Sequence, residues 1–197
     1  MSNQPGIRVV TILGTVRPGS YTAKALALVV REVQSHAEAA LDQIDPAGLQ
    51  LPFPGQPTST DAARVREMVK AATGVILATP EYHGSFSSVT KLIIENLGFP
   101  SALAGKPVAL LGVAAGQIGA IKSLEALSSV CAHVGAMVLP GPVSVANVQS
   151  VFDAEGNCLD AGIEKRIRGV ATSLLDYIHG YICPRHTLEA MVRDRAA

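Results

Sequence analysis

The chain has 197 residues, 48% of them apolar, with 16 basic and 16 acidic side chains and a formal charge of zero. That length supports one well-buried α/β domain and is marginal for two. Zero net charge leaves no basic surplus for nucleic acid or an anionic membrane surface, and 4% aromatics without Trp gives poor base-stacking platforms.

The opening MSNQPG is polar and lacks the apolar core of a signal peptide, so the cytoplasm is the expected compartment. Ile7 to Leu13 (IRVVTIL) is short and β-branched and ends at Gly14, which predicts a buried strand. Ala23, Leu26, Ala27 and Val30 follow at helical spacing, so the stretch GTVRPGSYT at 14–22 is a loop opening a helix. Such a loop suits a phosphate. Amides at a helix N-terminus lack partners and the helix dipole favours negative charge there. Ser20 and Thr22 add neutral donors, and Arg17 adds a fixed charge that can bind two oxygens at once. Gly14 and Gly19 match half of a P-loop, but Ser20-Tyr21 stands where Lys-[Ser/Thr] is required. Val16 breaks the dinucleotide fingerprint as well, leaving one terminal phosphate as the better match. An ordinary capped βα turn accounts for this loop equally well when it is read alone.

Leu41 to Ile44 is a short second strand, and four Pro and two Gly make Pro46 to Thr60 a surface loop. Asp61 to Ala72 reads as a helix, then Gly74 to Thr79 (GVILAT) as a central strand apolar on both faces. It leads into the loop Pro80-Glu81-Tyr82-His83-Gly84-Ser85 and a helix from near Ser87 to about Leu97. In that helix Val89, Leu92, Ile93 and Leu97 form an apolar stripe, with Ser85, Ser87 and Ser88 small at its start. Lys106 to Val113 is a fourth strand, followed by a loop of small residues from Ala114 to Ala120. The fourth helix is expected over Gln117 to Gly135, and the fifth strand opens at Ala136 to Leu139 before Pro140-Gly141-Pro142 interrupts it. Asp160 to Tyr181 is the last helix, carrying Ile163, Ile167, Val170, Leu174 and Ile178 on one stripe. After the Cys183-Pro184 break the tail to Ala197 is polar, which gives one domain over 1–182 and a tail over 183–197. Alternating strands and helices predict a doubly wound α/β fold: a parallel sheet between two helical layers.

Together the loops at 14–20 and 80–85 resemble those of the NADPH-dependent FMN reductase family. The family's phosphate loop, G-[S/T]-x-R-x-x-S, is matched by Gly14, Thr15, Arg17 and Ser20. Its flavin-ring loop, P-E-Y-N-x-[S/G], is matched by Pro80, Glu81, Tyr82 and Ser85, with His83 in place of Asn. Two further departures are the missing aromatic after the following helix, at 95–98, and the absence of Ser or Thr before Gly116. The resemblance spans roughly residues 7–180 and implies a flavodoxin-like, five-stranded sheet of order 2-1-3-4-5. It implies FMN and NADPH as cofactors, and contacts from Thr15, Arg17, Ser20, Tyr21, Thr22, Pro80, Glu81, Tyr82, His83, Gly84, Ala115, Gly116 and Gln117. It also implies a homodimer or homotetramer packed through the helix after the ring loop.

The activity implied is electron transfer from NADPH through FMN to a small acceptor: free flavin, quinone, azo compound or metal oxyanion. The alternative is a flavodoxin-type electron carrier that does not itself oxidise NADPH; a net charge of zero lacks the acidity that steers such carriers to basic partners. Hydride chemistry of this kind belongs to the cofactor, so no catalytic side chain is assigned. Cys131, Cys158 and Cys183 form no C-x-x-C pair and the five His form no metal-binding pair, so no metal is expected.

Overall fold

The computed structural model describes residues 6–196. Strand β1 (Ile7–Leu13) buries every side chain except Arg8 and the half-buried Leu13. It lies between β2 (Ala39–Ile44) and β3 (Gly74–Tyr82), and β3 pairs in turn with β5 (Pro107–Val113), all in parallel. Helices α1 (Tyr21–Gln34) and α5 (Ala161–Tyr177) cover one face. On the other face lie α2 (Thr60–Ala71), α3 (Ser88–Glu95) and α4 (Ile121–His133). Alternation along β3 sends Ile76 and Ala78 to the first layer and Val75 and Leu77 to the second, which is why this strand is apolar throughout.

The strand-order expectation holds by position. The far edge is split: β6 (Met137–Val138) and β7 (Val143–Val145) both pair with β5, and Pro140-Gly141-Pro142 leaves the sheet between them. Pro supplies no ladder donor at positions 140 and 142, so the strand cannot run through. The resulting path is β2-β1-β3-β5-β6, in which β4 (Ser85–Phe86) is a short antiparallel addition to β3. The switch point therefore falls between β1 and β3, and the loops after β1, β3 and β5 leave the same end of the sheet.

Four sequence expectations need correction. First, the third strand does not stop at Thr79. It continues through Pro80, Glu81 and Tyr82 because β4 pairs with its end, Glu81 opposite Phe86 and Tyr82 opposite Ser85. Second, the fourth helix begins at Ile121 rather than Gln117. Gly119 is left-handed at φ 79° and donates back to Gly116 O at 3.2 Å, so 117–120 is a turn.

Third, the stripe on α3 is turned partly into the core. Ile93 and Leu97 are fully buried against the sheet, Ser87 is a buried cap, and Ser88, Lys91 and Glu95 form the exposed face. Val89 and Leu92, the other two members of the stripe, are only half-buried. Fourth, helical structure does not end near Tyr181. A π-turn over Ile178–Ile182 joins α5 to α6 (Cys183–Ala196) without a break, and Pro184 follows directly on that turn.

Candidate active site

Two backbone facts set the first loop. Gly14 N donates to Ala78 O at 2.7 Å, drawing the exit of β1 onto β3. A Cβ at Gly14 would collide with Thr90 Oγ1 and Ala78 O, so only glycine allows this approach. The chain then turns through Gly19 at φ 63° into Ser20, whose Oγ accepts from Ala23 N at 3.1 Å and caps α1.

Thr15, Ser20 and Thr22 are all buried. Thr15 Oγ1 accepts from Arg17 N at 3.1 Å, so its own proton remains free to donate, as does that of Ser20. Among the described residues the amides of Tyr21 and Thr22 have no protein acceptor, and the Arg17 guanidinium has neither a hydrogen bond nor an ion pair. The Tyr21 ring is otherwise engaged, half-buried beneath the Lys24 ammonium at 5.2 Å, so its offering to an anion is its amide. Unpaired amides, free hydroxyl protons and an uncommitted Arg at one helix N-terminus fit a terminal phosphate such as that of FMN.

The second loop is a hairpin. His83 and Gly84, at φ 51° and φ 73°, are its two turn residues, the pair of positive values a type I′ turn requires. Pro80 is buried in the β3–β5 ladder, Glu81 is half-buried, and Tyr82 is 45% exposed. Below the hairpin is a buried cluster of hydroxyls from Thr79, Ser87 and Thr90. Ser87 Oγ donates to Gly14 O and accepts from Thr90 N at 3.0 Å, capping α3. Thr79 Oγ1 accepts from Ser87 N and Thr90 Oγ1, both at 3.2 Å, and donates to Pro80 O at 3.0 Å. One buried network thus ties the phosphate loop, the base of the hairpin and the start of α3 together.

The third loop, 114–120, is bound along its length to the segment after β7. Ala114 N donates to Val145 O at 2.9 Å, Asn147 N to Gly116 O at 3.2 Å and Val148 N to Ala114 O at 3.1 Å. Helix α4 has no cap of its own, because Ala120 stands at the N-cap. Two distant side chains replace it: Ser144 Oγ accepts from Ala120 N at 2.8 Å, and Glu81 Oε2 accepts from Ser123 N at 3.1 Å. The Glu81 carboxylate therefore joins the hairpin to α4. Ala115, Gly116 and Gln117 stay exposed at the rim, and a Cβ at Gly116 would meet nothing within 4 Å.

All the residues singled out in the sequence lie at this end of the sheet. Thr79, Thr90 and Ser144 were not singled out, and Ser87 only as a small residue at the start of its helix. Ser87-x-x-Thr90 is legible as a helix-capping pattern, but its bond to Gly14 spans 73 positions and leaves no local signal. None of the scattered cysteines enters the site, and burial on α4 pushes the Cys131 thiol up to about 12, which removes it as a nucleophile.

A sequence profile of the NADPH-dependent FMN reductases matches residues 7–150, and the chain belongs to that family. An NAD(P)H-dependent FMN reductase from Pseudomonas aeruginosa is 32% identical over 160 residues, 78% of this chain and 85% of the relative. An NADPH azoreductase from a Bacillus species is 35% identical over 140 residues, 70% of this chain and 75% of the relative. Among solved structures, a flavoenzyme NAD(P)H:(acceptor) oxidoreductase from Paracoccus denitrificans superposes with a TM-score of 0.74 at 21% identity, covering 89% of this chain and 98% of that one.

The link from hairpin to α4 is open to test. Glu81→Ala is expected to lower the unfolding free energy by about 0.5–2 kcal/mol, the range for a lost helix cap. Glu81→Gln keeps an acceptor oxygen and should recover most of that. Urea titration of the two variants measures both, and a Glu81→Ala protein as stable as the parent would contradict the capping role.

Proposed function

We propose that this FMN-dependent NAD(P)H oxidoreductase holds the FMN phosphate at the N-terminus of α1 and passes electrons to flat, conjugated small molecules. The observation that carries the reading is the set of uncommitted donors at 15–22, fastened by the hydroxyl network to the hairpin at 80–86. Arg17, the Tyr21 and Thr22 amides, and the Thr15, Ser20 and Thr22 hydroxyls bind the phosphate. Tyr82, His83 and Gly84 border the ring on one side, and Ala115, Gly116 and Gln117 on the other. When bound, FMN supplies the redox chemistry, taking hydride from the nicotinamide and giving two electrons to the acceptor. The chain's own part is to hold and orient. Hydrogen-bonded loops fix the reactant positions, and an ångström of misplacement costs on the order of a hundredfold in rate.

The rim between hairpin and third loop serves reductant and acceptor in turn, which gives ping-pong kinetics. Azo compounds, quinones and free flavin share the flat conjugated shape this rim suits, and an azoreductase stands among the relatives. NADPH is the expected reductant. The chain works in the cytoplasm as a homodimer or homotetramer. Support for self-association is a second apolar surface: Phe99 is fully exposed and Phe53 66% exposed, in segments linked by Asn96 Nδ2 donating to Pro52 O at 3.0 Å. Light scattering at micromolar concentration should return at least a dimer mass, and a strict monomer would refute the assembly.

Stopped-flow mixing of FMN-loaded protein with NADPH, without acceptor, tests the activity. The oxidised flavin band should bleach; a flavin that stays oxidised with both NADPH and NADH would favour the electron-carrier reading. Arg17→Ala should weaken FMN binding by about 1.5–3 kcal/mol, the range for hydrogen bonds to charged groups, and riboflavin binding much less. Calorimetric titration of both flavins measures the difference, and equal losses would remove Arg17 from the phosphate.

A further inference from the structure

Most basic side chains of the described residues are committed. Lys24 donates to the carbonyls of Asp153 and Ala154, and Lys106 to those of Lys70 and Ala72. Arg8, Arg64, Lys70, Lys91, Arg168 and Arg185 each pair with a carboxylate. Lys122 has no partner among the described residues. It also sits in the first turn of α4, where the helix dipole disfavours a cation. The carboxylate of the adjoining hairpin, Glu81, is bonded to Ser123 N, and no ion pair joins it to the ammonium.

Its stem has a defined place. The nearest heavy atom to a Cβ built at Gly84 is Lys122 Cδ, at 3.5 Å, so the aliphatic part lies against the His83-Gly84 turn. Ile118 and Ile121 on the third-loop side and Tyr82 of the hairpin are exposed apolar residues of the same two segments. A lysine without an ion-pair partner therefore stands beside the hairpin turn, while Arg17 lies in the separate loop that opens α1. A cation without a hydrogen-bonding or ion-pair partner at this place is available to an anionic ligand.

We infer that Lys122 receives a phosphate of the nicotinamide nucleotide and sets affinity for the reductant, an assignment that rests on the reductase reading above. Arg17 serves the phosphate of FMN; Lys122 serves the molecule that enters over the rim. An ammonium acts as a point charge without the paired geometry of a guanidinium, which suits a phosphate that arrives and leaves in each cycle.

The test compares the parent with Lys122→Met, which keeps the stem on the turn, and with Lys165→Met, which removes an exposed unpartnered charge on α5. FMN-loaded proteins are titrated calorimetrically with 2′,5′-ADP and 5′-AMP, which cannot be oxidised, and KM is measured for NADPH and NADH. Lys122→Met should weaken binding and raise KM by about tenfold or more, the loss expected of one charge-assisted contact, with FMN affinity retained and Lys165→Met like the parent. A loss confined to NADPH and 2′,5′-ADP places Lys122 on the 2′-phosphate. A loss shared by NADH and 5′-AMP places it on the phosphates common to both nucleotides. Either supports the assignment. Values within about twofold of the parent for every ligand, equal losses in Lys165→Met, or loss of FMN from Lys122→Met would overturn it. If the parent flavin is bleached by NADPH or NADH, such a result removes Lys122 alone. If neither nucleotide bleaches the parent, the reductase reading falls and this assignment with it.

Discussion

The site depends on one buried hydrogen bond, from Ser87 Oγ to the carbonyl of Gly14. Both groups are out of water, so leaving either unpaired costs about 1–3 kcal/mol. The same hydroxyl accepts from Thr90 N, and Thr90 Oγ1 reaches Thr79 Oγ1, whose proton goes to Pro80 O. Every member of this chain is satisfied, the condition under which a buried polar network stiffens a structure rather than weakening it. Its consequence is geometric: the end of β1, the exit of β3 and the cap of α3 cannot move independently. A cofactor that places a phosphate on one loop and a flat ring by the other needs that fixed spacing.

Glu81 and His83 show how residues of the hairpin loop act through conformation. Glu81 directs its carboxylate to α4, where no local cap exists, so it fixes the position of the hairpin against that helix. His83 occupies a left-handed position that Asn and Gly favour and His tolerates better than most residues. Replacement of Asn by His at this point therefore preserves the turn. It changes the chemistry of an exposed rim while leaving the backbone path intact.

Much of this was legible before any coordinates. Val75 to Ala78 gave the central strand because residues buried on both faces must be continuously apolar, and Gly14 marked the end of β1 and the loop that opens α1. What stayed hidden is non-local. Periodicity placed Ile93 and Leu97 on one stripe of α3 but could not say that the sheet, rather than a second copy, covers it. The extension of β3 to Tyr82 depends on β4 pairing back, and β4 is only two residues long. Helix α4 starts late because Ser144, 24 positions away, holds Ala120 N. No window of sequence contains both partners of such contacts.

The claim that the hydroxyl network, and not the phosphate loop alone, builds the cofactor site is tested most directly by Ser87→Ala. Ser87 Oγ donates to Gly14 O and accepts from Thr90 N, both within the protein. Calorimetric affinities for FMN and riboflavin should show FMN bound more tightly by the parent. In Ser87→Ala most of that preference should be lost, because the loop that holds the phosphate is released from the hairpin. An FMN preference unchanged in a folded Ser87→Ala protein would contradict the account.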